Sequence, residues 1–253
     1  MSDIIGLVAI NPRRYRMKAL VLCAGYGKRM YPITLSTPKP LLPVNGRPLL
    51  LNLLDNIAGA GIREISIISN QTHYREYARL LENYRSDIRL DIISNGVESP
   101  DDALGAIGDM AFAINRIGKD DDMLIIAGDS HLSFSLSGFI ESFRKTGLCS
   151  VIVQKVDDLE YLKRLGVAEL DSTSRIIGFE EKPQQPKSDM AAYAAYAFNK
   201  EALSHIDSYL EHGNHKDALG KIIGWLLQKT TVMGYVAEGK FIDIGTPETY
   251  KSL

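Results

Sequence analysis

An apolar run, Ala19-Leu20-Val21-Leu22, stops at a loop carrying Gly25, Gly27, Lys28 and Arg29, and Thr37-Pro38-Lys39-Pro40 follows shortly after. The run reads as a buried strand. Gly25 and Gly27 let the backbone turn tightly at the strand's carboxyl end. The N–H groups of such a turn can point at an anion. Arg29 and Lys39 bring two cations to the same place, and Pro38 and Pro40 limit the wandering of Lys39. The combination reads as a site for a polyphosphate. Two glycines alone read better as a tight strand-to-helix turn with no ligand. The dinucleotide fingerprint also fits poorly, because Met30 stands where its third glycine is needed.

A chain of 253 residues is long enough for a sizeable core and fits one α/β domain. Its formal charge of −2 gives no support for a nucleic-acid or membrane partner. The cysteines, Cys23 and Cys149, sit within or beside apolar runs and read as buried reduced thiols. No apolar stretch approaches the ~20 residues needed to cross a bilayer. In the first sixteen residues Arg13, Arg14 and Arg16 follow the apolar stretch, the reverse of a secretory signal. Residues 1–16 therefore read as an extension of unknown role, either an over-called start or a short extra segment. The default location is the cytoplasm.

Strands are expected over 18–23, 64–69, 88–93, 123–127 and 149–156, with helices over 48–60, 73–85, 103–117 and 136–146 between them. This alternation implies a largely parallel sheet with crossover helices. After about residue 150 short strands at 166–170, 175–180 and 192–198 suggest an inserted sheet. Helices at 200–210 and 216–228 and a strand at 231–237 follow. The expected class is α/β: a Rossmann-like, mostly parallel sheet flanked by helices, with a small inserted sheet forming one side of a cleft. Ligands in such sheets bind at the carboxyl ends of the strands. The run Asp120-Asp121-Asp122 reads as a solvated loop.

Asp129 follows the apolar Leu124-Ile125-Ile126-Ala127 and should reach that edge. A helix N-cap is an equally good reading of it. Asp243 lies between Ile242 and Ile244 and so points opposite to them. Thr246-Pro247 reads as the cap and first residue of a closing helix, which leaves Asp243 without a structural task. Glu180-Glu181-Lys182-Pro183 reads, taken alone, as a charged turn after a strand. His131 reads as a surface or cleft residue. His212 and His215 lack partners at zinc-ligand spacing. No Gly-x-Ser-x-Gly elbow is present to serve a hydrolase.

Leu22–Met30 together with Pro38-Lys39-Pro40 resembles the signature of the sugar-phosphate nucleotidyltransferases, with Cys23 and Met30 as small departures. Phe241–Glu248 resembles that family's ending, and Glu181-Lys182-Pro183 resembles its Glu-Lys-Pro. The likeness runs from Met17 to Leu253, so 17–253 is expected to be one nucleotidyltransferase domain. It implies that Ala24, Gly25, Gly27, Lys28 and Gly105 lie at the nucleotide and that Arg29 and Lys39 are catalytic. It implies Mg²⁺ on Asp129 and Asp243. Gly166, Lys182 and one of Glu180 or Glu181 would meet the sugar phosphate. Two departures bear on substrate identity: Leu104–Asp109 carries Ala106 and Asp109 where the family has a hydroxyl and an alanine, and Ala194 stands where it often has glycine.

The activity so implied is Mg²⁺-dependent transfer of a nucleotidyl group from a nucleoside triphosphate to a sugar 1-phosphate. Those two substrates would be the partners, with no nucleic acid and no membrane, and a homo-oligomer is compatible. The alternatives are a cytidylyltransferase for inositol or choline phosphate and a catalytically silent regulatory subunit of the same fold.

Overall fold

The computed structural model describes residues 16–82, 84–85 and 87–251. The extension read over 1–16 lies outside the described residues except for Arg16, which ion-pairs with Glu64 at 2.6 Å.

Nine strands share one sheet: β1 (Met17–Leu22), β2 (Glu64–Ser69), β3 (Arg89–Ser94), β4 (Asp122–Ala127), β5 (Cys149–Lys155), β6 (Gly166–Leu170), β7 (Ile176–Glu181), β8 (Met190–Phe198) and β9 (Val232–Val236). Their order is β7-β6-β8-β4-β1-β2-β3, and β5 pairs with the other flank of β8 and carries β9. The β4-β1-β2-β3 half is parallel. The pairings of β8 with β4, β5 and β6, and of β6 with β7, are antiparallel. The expected α/β class is therefore what forms. The inserted strands do not stand apart, because β8 pairs with β6 through Ala191 and Ala192 and with β4 through Ala195–Phe198.

Alternation along β1 sends Ala19 and Val21 to one apolar core and Leu20 to the other. Helices Leu49–Gly59, Tyr74–Leu81 and Ser137–Thr146 cover the first face. Helices Ala106–Ile117, Lys200–Glu211 and Gly220–Leu226 cover the second. A third, smaller cluster of Met30, Leu42, Val44, Leu49 and Ile244 supports the glycine loop from beneath. Burying apolar side chains on both faces is worth roughly 1.5–3 kcal/mol for each large one. The parallel half of the sheet is thus a stiff base for whatever its carboxyl edge carries.

Helices expected over 73–85 and 216–228 are shorter, Tyr74–Leu81 and Gly220–Leu226, and three further details differ from the sequence expectation. The third helix begins at Ala106, not 103, because Gly105 takes φ 79° at its N-cap. The acidic run is not simply a solvated loop: Asp122 opens β4, and Asp121 ion-pairs with Lys18 at 3.0 Å. Ser130–Leu132 and Phe241–Asp243 form a two-stranded pair that the sequence pattern does not predict. Three-residue strands are too short to show a period. No helix among the described residues is long and apolar enough to cross a membrane.

Candidate active site

The carboxyl ends of β1 and β4 open into a cleft of about 570 Å³. Its floor begins at Leu22, the last residue of β1, with Cys23 and Ala24 after it. Gly27 turns the loop with φ 64°, a left-handed conformation that favours glycine. Thr34 Oγ1 donates to the Gly27 carbonyl at 2.8 Å and holds that turn. Gly25 is exposed on the cleft, and a side chain added there would meet nothing within 4 Å. Lys28 lines the rim and ion-pairs with Asp101 at 3.3 Å. Cys23 and Cys149 are buried free thiols, and burial pushes both pKa values up, so neither is a ready nucleophile.

Two charged sets meet over this floor. Lys39 enters from the Pro38–Pro40 turn and ion-pairs with Asp129 at 2.5 Å. Asp129 sits in the turn between β4 and Ser130–Leu132, so it is not a helix N-cap; the next helix starts at Ser137. Pairing of Asp243 with Ser130, and the Ile244 N–H donating to the Asp129 carbonyl at 3.2 Å, bring the second carboxylate alongside the first. Burial holds the Asp243 carboxyl well above the usual range, and the charge of Asp129 pushes the same way; Lys39 and Arg29 oppose it. Arg29 is exposed, and its guanidinium and the Asp243 carboxylate converge on Gly245. Thr246 caps the closing helix as expected, accepting the Thr249 N–H at 3.3 Å.

Across the cleft, Gly166, Glu181 and Lys182 line the opposite wall. Adjacent residues of a strand face opposite ways. Of the glutamate pair, Glu181 enters the cleft, whereas Glu180 faces out, is exposed and does not line it. Lys182 takes φ 52°, and this turn returns it to the same side as Glu181. Burial raises the Glu181 pKa, with Lys182 and Lys221 pulling it back. Space for its carboxylate depends on Gly220, where an added Cβ would lie only 1.9 Å from Glu181 Oε2. Gly105 lines the cleft from the β3 side, near Asp109.

Some residues at the cleft carry no motif. Arg164 lines it with its guanidinium 5.4 Å from the Tyr161 ring. Tyr193 stacks on Phe241 at 4.6 Å beside Asp243. Asp217 and Leu219 close the wall near Gly220. The only available signal was that Arg164 shortly precedes Gly166 and that Tyr193 lies beside Ala194. His131 pairs with Ile242 in the short strand and does not line the cleft.

The sequence pattern of the nucleotidyl transferase family matches residues 18–253. The chain belongs to that family. Its sequence is 34% identical over 184 residues to a glucose-1-phosphate thymidylyltransferase of Streptomyces antibioticus, covering 72% of this chain and 49% of that one. It is 26% identical over 238 residues to the mannose-1-phosphate guanylyltransferase of Mycobacterium tuberculosis, covering 93% and 63%. The chain thus spans about half to three-fifths of the length of these curated relatives. A crystal structure of a Bacillus anthracis protein in complex with a sucrose superposes with a TM-score of 0.81 at 26% identity, covering 93% of each chain. A UDP-glucose pyrophosphorylase complexed with UDP-glucose shares the fold, with a TM-score of 0.78 at 20% identity.

In this member of the family the motif-matched residues lie on one cleft at one edge of the sheet, Glu180 excepted. Among the described residues no group of three or more His, Cys, Asp or Glu could hold a metal ion. Two facing carboxylates remain. Magnesium uses one or two carboxylates and completes its shell with water and phosphate oxygens, so Asp129 and Asp243 fit it and would not suit zinc.

Proposed function

We propose that this protein transfers a nucleotidyl group from a nucleoside triphosphate to a sugar 1-phosphate, giving a nucleoside-diphosphate sugar and pyrophosphate. The observation that carries this reading is the meeting of Arg29 and Lys39 with Asp129 and Asp243 at the glycine loop, facing Glu181 and Lys182 across the cleft. Relatives with thymidylyl- and guanylyltransferase names support the reaction class.

In the reaction a phosphate oxygen of the sugar phosphate attacks the α-phosphorus. The new P–O bond forms as the bond to the β-phosphate breaks, and pyrophosphate leaves with that electron pair. Little covalent chemistry falls to the protein, so alignment and charge neutralisation carry catalysis. The loop N–H groups from Ala24 to Gly27 and the Arg29 guanidinium hold the β- and γ-phosphates and offset the charge that builds on the leaving group. Lys39, already fixed against Asp129, holds phosphate oxygens near the reacting centre. Lys182 holds the sugar's phosphate, and Glu181 accepts hydrogen bonds from sugar hydroxyls. Asp129 and Asp243 would hold a Mg²⁺ ion, which supplies Lewis-acid neutralisation of phosphate charge when bound. A cytoplasmic location, and a single catalytic unit over 17–253, belong to the same proposal.

A pyrophosphate-release screen of four triphosphates against a panel of sugar 1-phosphates tests it. Release that depends on a sugar 1-phosphate and yields the nucleoside-diphosphate sugar is expected. Release only with inositol or choline phosphate, or with no acceptor in the panel, would overturn it.

A further inference from the structure

Asp109 is buried, at 7% exposure, in the first turn of helix Ala106–Ile117, yet it lines the cleft. Its Oδ1 accepts from Asn95 Nδ2 at 2.7 Å. Asn95 is itself fixed, because its N–H donates to the Ser69 carbonyl at 3.0 Å and its Oδ1 accepts the Val97 N–H at 2.8 Å. Among the described residues Asp109 has no cation beside it, and its Oδ2 accepts no hydrogen bond. The charge of a second carboxylate, Asp217, acts on it with the same sign. A mostly buried carboxylate with no counter-charge is costly as a structural element, and the free oxygen of Asp109 is open to the cleft rather than sealed in the core. As the acidic residue of the first turn Asp109 also suits the positive end of the helix dipole, a role that an exposed carboxylate would fill without the cost of burial.

Its place in the sheet says which part of a ligand it meets. The glycine loop follows β1, near the middle of the strand order, and Glu181 ends β7 at one border. Asn95 follows β3 at the other border. The segment after Asn95 is tied to the glycine loop by Tyr26, whose hydroxyl donates to the Val97 carbonyl at 3.1 Å, and by the Lys28–Asp101 ion pair. With phosphates on the loop and sugar phosphate toward β7, the base of the triphosphate extends toward Asn95 and Asp109.

We infer that Asp109, oriented by Asn95, reads the base and selects guanosine triphosphate. This rests on the nucleotidyl-transfer reading above. A carboxylate only accepts, and each oxygen has room for two hydrogen bonds. Guanine alone among the common bases presents two adjacent donors, N1–H and the N2 amino group, which match a carboxylate side by side. Uracil and thymine place one N–H between two carbonyl oxygens, which a carboxylate repels. Adenine and cytosine offer a single amino group beside a ring nitrogen that is itself an acceptor. A site built to hydrogen-bond one edge rejects analogues that leave its buried polar group unpaired.

The test compares kcat/KM for GTP, inosine triphosphate, xanthosine triphosphate and UTP in wild type, Asp109→Asn and Asn95→Ala, with melting temperatures as a fold check. Wild type should favour GTP over inosine triphosphate, which lacks the N2 amino group, by on the order of 10–100-fold. Asp109→Asn should lose that preference and gain use of xanthosine triphosphate, whose C2 carbonyl can accept the new amide N–H. Asn95→Ala should raise KM for GTP more than it lowers kcat. A wild-type preference for UTP, or an Asp109→Asn variant with an unchanged base ranking, would overturn the inference and leave the reaction standing. Calorimetric binding of GTP over UTP, without pyrophosphate release on any sugar phosphate, would keep the inference and sink the reaction.

Discussion

Lys39 Nζ stands 2.5 Å from Asp129 Oδ2, and Asp129 in turn faces the half-buried carboxyl of Asp243. One cation therefore compensates two carboxylates that the fold forces together, while Arg29 approaches the same centre from the exposed loop. Lys39→Ala should lower stability by about 1–3 kcal/mol, since it leaves partly buried negative charge without its partner. Arg29→Ala should leave the melting temperature unchanged. Both should lower kcat, Arg29→Ala by on the order of 10²–10³-fold. Melting curves and turnover on the same preparations check this, and equal losses of stability in the two variants would contradict it.

Chelation should abolish turnover, and excess Mg²⁺ should restore it. Asp129→Asn and Asp243→Asn should each cost on the order of 10²–10⁴-fold in kcat, the loss expected for a preorganised electrostatic element. Both variants should remain folded, because each replacement also relieves repulsion between the two carboxylates. Turnover at full rate in excess chelator is the result that would exclude this role.

Glu181 and Glu180 should behave very differently. Glu181→Ala should raise KM for the sugar phosphate at a cost of roughly 1.5–3 kcal/mol in kcat/KM, the worth of a hydrogen bond to a charged group. Glu180→Ala should do little, because that side chain is exposed and outside the cleft. Gly220→Ala should mimic Glu181→Ala, since its Cβ would fall 1.9 Å from Glu181 Oε2 and displace the carboxylate. The KM for the triphosphate should barely move in all three. Initial-rate kinetics in both substrates separates these outcomes.

Burial raises the Asp109 pKa to about 6; the Asn95 hydrogen bond opposes the shift, and the charge of Asp217 adds to it. A carboxyl whose pKa is raised on folding favours the neutral form in the folded state. Its burial therefore costs nothing below the unfolded value of about 4. The cost grows as pH rises toward 6 and is constant above that. At pH 7.5 Asp109→Asn should stabilise the protein by on the order of 1–3 kcal/mol, and the gain should shrink at pH 5 and fade near pH 4. Denaturation across that range is the measurement. A destabilised variant at pH 7.5 would show that Asp109 serves the fold.

Much of this architecture was legible because it is local. The β1 run, the Gly25–Gly27 turn, the proline-flanked Lys39 and the capped ending after Asp243 each declare themselves within a few residues. Strand and helix periods placed nearly every element of the sheet. What lay beyond reach were the choices that need a partner distant in the chain. Alternation says that Glu180 and Glu181 point apart, but only the pairing of β7 with β6 decides which one meets the cleft. A turn at Lys182, in a conformation a residue before proline seldom takes, brings it round to join Glu181. Asp129 looked equally like a helix cap until the short pairing of Ser130–Leu132 with Phe241–Asp243 set it beside Asp243. Asp109 shows in the sequence only as a departure from a motif; its burial against Asn95, from the end of another strand, is what sets it in the cleft wall. Local spacing sets which conformations a segment can adopt, whereas the direction in which a charge finally points is settled by the sheet order that carries it there.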